Sequence, residues 1–210
     1  MPIMQIMSTQ PIRMHGARFA RDSRGTAALE FALVLPVVLA ILFGIYEVVQ
    51  DVRANMQLSN AAVSIADMVA QQSGGVTSGA SGSIGYFCRA GELMMTPFPT
   101  GATSGVGTFS VAVASVTNYS GSGATVDWES DASCSAAATA IGSAAITLAT
   151  SPTNLVPNAG RPGDSVIVVQ VSYHYRSAIQ YLLPIDTVLT KTAFARPRGD
   201  EPIACTSPCS

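Results

Sequence analysis

The sequence predicts an α+β protein: one long N-terminal helix whose first half crosses a membrane, followed by an outward domain built on an antiparallel β-sheet. Three observations carry this. Thr26 to Tyr46 is a 21-residue apolar run with one charge, Glu30. Apolar residues then recur at helical three- and four-residue steps to about Gln72, and period-two alternation with β-branched runs dominates from residue 84 onward. At 210 residues the chain has room for one compact domain with appendages, which excludes a large multidomain enzyme. Charged residues are only 11% of the chain, with 11 Lys+Arg against 13 Asp+Glu and a single lysine, Lys191. No basic footprint exists for neutralising phosphates, so nucleic acid is set aside as a partner.

Residues 1–25 form a basic leader, with Arg13, Arg18, Arg21 and Arg24 against Asp22. A helix of 21 residues reaches about 30 Å, the thickness of a bilayer's hydrocarbon core, and the spanning segment is placed at about residues 26–49. Arginines favour the cytoplasmic side, so the chain after about residue 50 is expected outside. A cleaved secretory signal competes with this reading. Its apolar core would be shorter, and Glu47 to Arg53 offers no small-residue cleavage site.

The helix is expected to continue to residue 72, bent at Pro36, where a backbone hydrogen bond is missing. Val52, Met56, Val63, Ala66, Val69 and Ala70 are its expected packing stripe against the outer domain. Residues 73–83 hold eight Gly or Ser among eleven and read as a flexible connection. In the domain of residues 84–210, Phe109, Val111 and Val113 alternate, as do Ala124, Val126 and Trp128 across Ser120 to Gly123, which predicts a hairpin. Val166 to Tyr175 predicts a long strand buried at its start on both faces, and Thr187 to Ala195 a fourth strand. The Ala-rich stretch Ser135 to Leu148 suits a short helix.

The most specific feature is the junction Arg24-Gly25-Thr26-Ala27-Ala28-Leu29-Glu30-Phe31. It resembles a type IV prepilin processing site. The longer string from Gly25 to Pro36, with Leu42-Phe43-Gly44-Ile45-Tyr46-Glu47 after it, closely resembles the TadE-like domain of tight-adherence (Tad, or Flp) pilus proteins. That likeness covers roughly residues 21 to 66. It implies a pilin-like fold and cleavage by a prepilin peptidase between Gly25 and Thr26, with Glu30 as the fifth mature residue. It also implies that Glu30 serves assembly by meeting the new Thr26 amine of a neighbouring subunit, and that Phe31, Pro36 and Gly44 belong to the membrane helix. Thr26 departs from the phenylalanine that begins many type IV pilins. The partners so implied are the inner membrane, the peptidase, other Tad components and pilin subunits.

Cys88, Cys134, Cys205 and Cys209 all follow the membrane segment, in the expected oxidising compartment. Two disulfides are predicted. Three connectivities are open, of which Cys88 with Cys134 and Cys205 with Cys209 is the most local. No Cys-x-x-Cys pair exists and His174 is the only histidine beyond the leader, so no zinc or other metal, and no cofactor, is expected. Asp127, Glu129 and Asp131 alternate as a calcium-facing edge would, but the glycine and later glutamate of an EF-hand loop are missing, which favours a solvated acidic turn. No P-loop or nucleophile elbow is present. An enzyme is therefore not expected, and an anchored hydrolase using His174 ranks last. The leading expectation is a minor pilin or pseudopilin of a Tad/Flp adhesive pilus. The alternative is a membrane-anchored, non-catalytic periplasmic binding module.

Overall fold

The computed structural model describes residues 25–119, 123–130, 134, 138–150, 164–181, 183–199, 201–206 and 209. The arginines of the leader and Asp131 lie outside them. The chain divides into two units, Met1–Phe43 and Gly44–Ser210. The described part of the first is the opening of helix α1 (Thr26–Ala70), which runs through Pro36 and is exposed along residues 25–43. Leucines, valines and Phe31 face outward on every side there, the pattern of a helix whose solvent is lipid.

In the second unit, α1 continues and is followed by α2 (Ser83–Met94), β1 (Phe109–Tyr119), β2 (Gly123–Ser130), α3 (Ser143–Thr150), β3 (Asp164–Arg176) and β4 (Asp186–Ala195). The strands form one antiparallel sheet in the order β2-β1-β3-β4. The predicted hairpin is the β1–β2 pair. Strand β1 is buried on both faces along most of its length, and β3 over residues 165–169, because each face has its own helical cover. Phe109, Val111 and Val113 join Ile167, Val169, Val171, Tyr173 and Tyr175 in a core shared with α1 and α2. Ala112, Ala114, Val116, Val166 and Val168 face the other way, towards Ile141 and Ala145 beside and within α3.

The stripe by which α1 meets this core differs from the expected one. Val52, Met56 and Val63 are 50%, 63% and 51% exposed, whereas Ala54, Leu58, Ala61, Ala62 and Ile65 are sealed from solvent. Only the end of the expected stripe, Ala66, Val69 and Ala70, is buried. Both sets repeat at helical steps. Alanine is what lets a helix backbone approach a neighbouring layer closely, so the true contact face is the less hydrophobic-looking one.

Residues 73–83 are tied down more than their composition suggests. Val76 is fully buried and its backbone pairs with the C-terminal tail through Val76 N to Ala204 O (2.8 Å) and Thr206 N to Val76 O (2.9 Å). Thr77 and Ser83 exchange backbone-to-hydroxyl hydrogen bonds of 2.9 and 2.8 Å, which closes the loop onto the start of α2. Gly82 and Gly85 are required here: a Cβ at Gly85 would lie 2.5 Å from the Gly79 carbonyl oxygen. Helix α2 was not read from the sequence, although Ile84, Cys88 and Gly91 mark its buried face at steps of four and three.

The helix expected within Ser135–Leu148 begins only at Ser143. Gly142 has φ +45 and the Glu129 carboxylate accepts hydrogen bonds from the Ile141 and Gly142 amides, the two that lead into α3, which holds the start of the helix in place.

Candidate membrane-anchoring and assembly site

Gly25 stands at the doorstep of α1. Its carbonyl accepts the Leu29 amide at 3.2 Å, so it opens the helical ladder, and the Gly25–Thr26 bond is exposed at the helix edge. Thr26 and Glu30 are four residues apart on one helix and therefore share a face. Glu30, Phe31 and Pro36 are exposed, and Gly44 is half-buried. An exposed glycine lets a protease approach the backbone. A carboxylate one turn into an apolar helix is costly in hydrocarbon unless a cation or water meets it. The segment thus presents an exposed Gly25–Thr26 bond and an exposed carboxylate one helical turn apart.

The other end of the apolar run holds a carboxylate whose role sequence reasoning missed. Tyr46 closes the run and Glu47 follows it, yet Glu47 is fully buried. Its Oε1 accepts the Ile179 amide at 2.6 Å, and its Oε2 is buried without a hydrogen-bond partner among the described residues. This bond joins α1 to the loop between β3 and β4. The available signal was the charge itself, because a glutamate at the end of an apolar run is affordable only where a polar group meets it. Its charge reaches further. The Tyr175 phenol is pushed up to about 12, first by burial and then by the negative charges of Glu47 and Asp51. Beside it lies an aromatic cleft of about 270 Å³, lined among others by Tyr46, Gln50, Phe98 and Tyr175. Phe98 meets Tyr175 edge-on at 5.9 Å and Tyr173 at 6.4 Å, and the Tyr173 hydroxyl donates to Pro99 O at 3.0 Å.

The remaining candidate groups are occupied by structural contacts. Cys88 and Cys134 have Cα atoms 5.6 Å apart, and Cys205 and Cys209 6.2 Å apart, so the local pairing is the one brought to disulfide distance. Glu92 lies near the first pair. The acidic edge of β2 is divided between two tasks. A register shift between Ser115 and Val116 leaves Asp127 as the extra residue of β2, and its carboxylate accepts the hydroxyls of Thr117 and Tyr119, the latter at 2.6 Å. The Tyr119 phenol is raised chiefly by that hydrogen bond and then by burial. Glu129 holds the start of α3, so neither a calcium edge nor a merely solvated turn describes the pair. His174 Nε2 lies 2.6 Å from Asp186 Oδ1, while Arg176 donates to Asp186 Oδ2 through Nε (3.0 Å) and a second nitrogen (2.7 Å). The Arg176 guanidinium and then His174 hold the Asp186 carboxyl below the usual carboxylate range. This is a cross-strand charge cluster between β3 and β4.

Residues 25–67 match the family model described as TadE-like protein. The match begins at the glycine of the junction and ends within α1, which bears out the resemblance over that segment. Neither the curated proteins nor the solved structures contain a match to the chain.

Proposed function

We propose that this chain is a minor pilin or pseudopilin, a structural and assembly component of a Tad/Flp-type adhesive pilus that a prepilin peptidase cleaves after Gly25. The observation that carries this reading is the TadE-like match over residues 25–67, lying on a helix long and apolar enough to cross a membrane. In this reading the basic leader stays in the cytoplasm, α1 holds the precursor in the bacterial inner membrane, and the sheet domain stands in the periplasm. Cleavage frees the Thr26 amine. Glu30 of one subunit then meets the amine of another, an ion pair worth far more in hydrocarbon than in water.

Two substitutions separate processing from assembly. Glu30→Gln keeps the side chain's size and the scissile glycine, so insertion and cleavage should survive while incorporation into pili falls about tenfold or more through loss of the pair. Gly25→Trp should block cleavage by bulk and leave a longer, membrane-retained precursor. Normal pili carrying normal amounts of Glu30→Gln protein would assign Glu30 to a headgroup contact alone, and normal cleavage of Gly25→Trp would remove the proposed processing site.

A further inference from the structure

We propose that Tyr181, on the β3–β4 loop of residues 177–185, is a second membrane contact that sits in the headgroup layer of the bilayer that α1 crosses. The proposal rests on α1 being a membrane anchor. The loop reads Ser-Ala-Ile-Gln-Tyr-Leu-Leu-Pro-Ile, nine residues without a charge, bounded by Arg176 and Asp186, whose side chains neutralise one another. Tyr181 is 103% exposed, as open as a side chain can be. Among the described apolar side chains of the loop, Ile185 packs against the core and Ile179 and Leu183 are half-buried, so Tyr181 is the large one left in the open. The loop is held in shape by its own hydrogen bonds: Ser177 N to Ile185 O (2.9 Å), Ser177 Oγ to Leu183 O (2.6 Å) and Ile185 N to Leu183 O (2.8 Å).

Glu47 ties the loop to α1. Ile179, two residues before Tyr181, donates to the carboxylate that directly follows the last residue of the apolar run. The loop is therefore tied to α1 one residue past the end of the apolar run. Tyrosine prefers the membrane–water interface, with its ring among acyl and glycerol groups and its hydroxyl in water. Tyr46, 49% exposed at the same end of the domain, would supply a second ring to the same belt. A lipid surface fits these groups better than a protein partner for one reason. The covalent anchor brings the bilayer to the loop at no further cost of association, whereas a protein would have to be recruited there.

The test uses the full chain in vesicles of phosphatidylethanolamine and phosphatidylglycerol, with a nitroxide quencher on a lipid close to the headgroup. In a Trp128→Phe background, Tyr181→Trp is compared with Tyr86→Trp. Tyr86 is 59% exposed on α2, the helix whose Gly91 lies beside Ile65. Ile65 is about 27 Å along α1 from Glu47. Quenching at residue 181 should exceed that at residue 86 by about threefold or more, the contrast between an interfacial and an aqueous ring. Equal quenching in chains that co-sediment with the vesicles overturns the loop contact and leaves the anchor standing. Failure to co-sediment removes the anchor and this proposal with it. Because Trp128 donates to Ile203 O and its replacement can disturb the fold, hydroxyl-radical footprinting of the unaltered chain gives an independent answer. Tyr181 should be oxidised less than Tyr86 in vesicles despite its greater exposure. The opposite order, or protection that arises only when other pilus proteins are added, contradicts a lipid contact.

Discussion

Glu30 and Glu47 stand at opposite ends of one apolar run and are treated oppositely, one exposed and one sealed. A buried carboxylate is tolerated only for what it binds, and here that is the Ile179 amide. Glu47→Ala should leave that amide without its acceptor, at a cost of about 1–3 kcal/mol. Hydrogen exchange should then show the Ile179 amide losing protection, while Glu47→Gln, which keeps a carbonyl oxygen in place, retains most of it. Unchanged protection in Glu47→Ala would mean the bond does not hold the loop. The neighbouring Tyr175 predicts a pH dependence. Its phenol lies at about 12 in the folded protein against an ordinary 10.0, so the fold favours the neutral form. A group whose folded value is raised contributes fully below the unfolded value and loses that contribution as pH climbs through the folded one. The domain should therefore lose stability between pH 10 and about 12. Tyr175→Phe should flatten that slope in denaturant titrations, with a remainder due to Tyr173, whose phenol is also raised by burial.

At the scale of elements, the packing face of α1 is decided by small residues. Ala61 is fully buried within the cluster that α1 shares with β1 and β3, whereas Met56 is largely exposed. Ala61→Leu should overpack this layer and cost about 1–3 kcal/mol. Met56→Ala should stay within about 0.5 kcal/mol. Thermal unfolding of the two variants checks this, and the reverse order would restore the Val52, Met56, Val63 stripe. The strands were legible in the sequence because alternation and β-branched runs report burial directly, as in Phe109 to Val113 and Val166 to Tyr175. Helix α2 was not, because it is short and its buried face includes two glycines, Gly85 and Gly91, which no hydrophobic pattern registers. The start of α3 was hidden for another reason. It is set by Glu129, a residue on a strand fourteen positions before Ser143, and such a tertiary contact leaves no local trace.

For the whole molecule, the sequence disclosed more about the anchor than about the domain it carries. A bilayer imposes length, apolarity and a charge boundary on one contiguous segment, so Thr26 to Tyr46 can be read without knowing the fold. The tie between Glu47 and Ile179 spans 132 residues, and only the folded chain brings the two together. The same holds for Val76 against the tail at Ala204, which turns a Gly/Ser stretch into a packed connection. In the proposed function α1 begins a mature subunit rather than an uncleaved anchor or a discarded signal. N-terminal sequencing of the protein isolated from cells that contain the prepilin peptidase tests it most directly. The predicted first residue is Thr26; a chain that begins after residue 46, or one that keeps its arginine-rich leader, would contradict it.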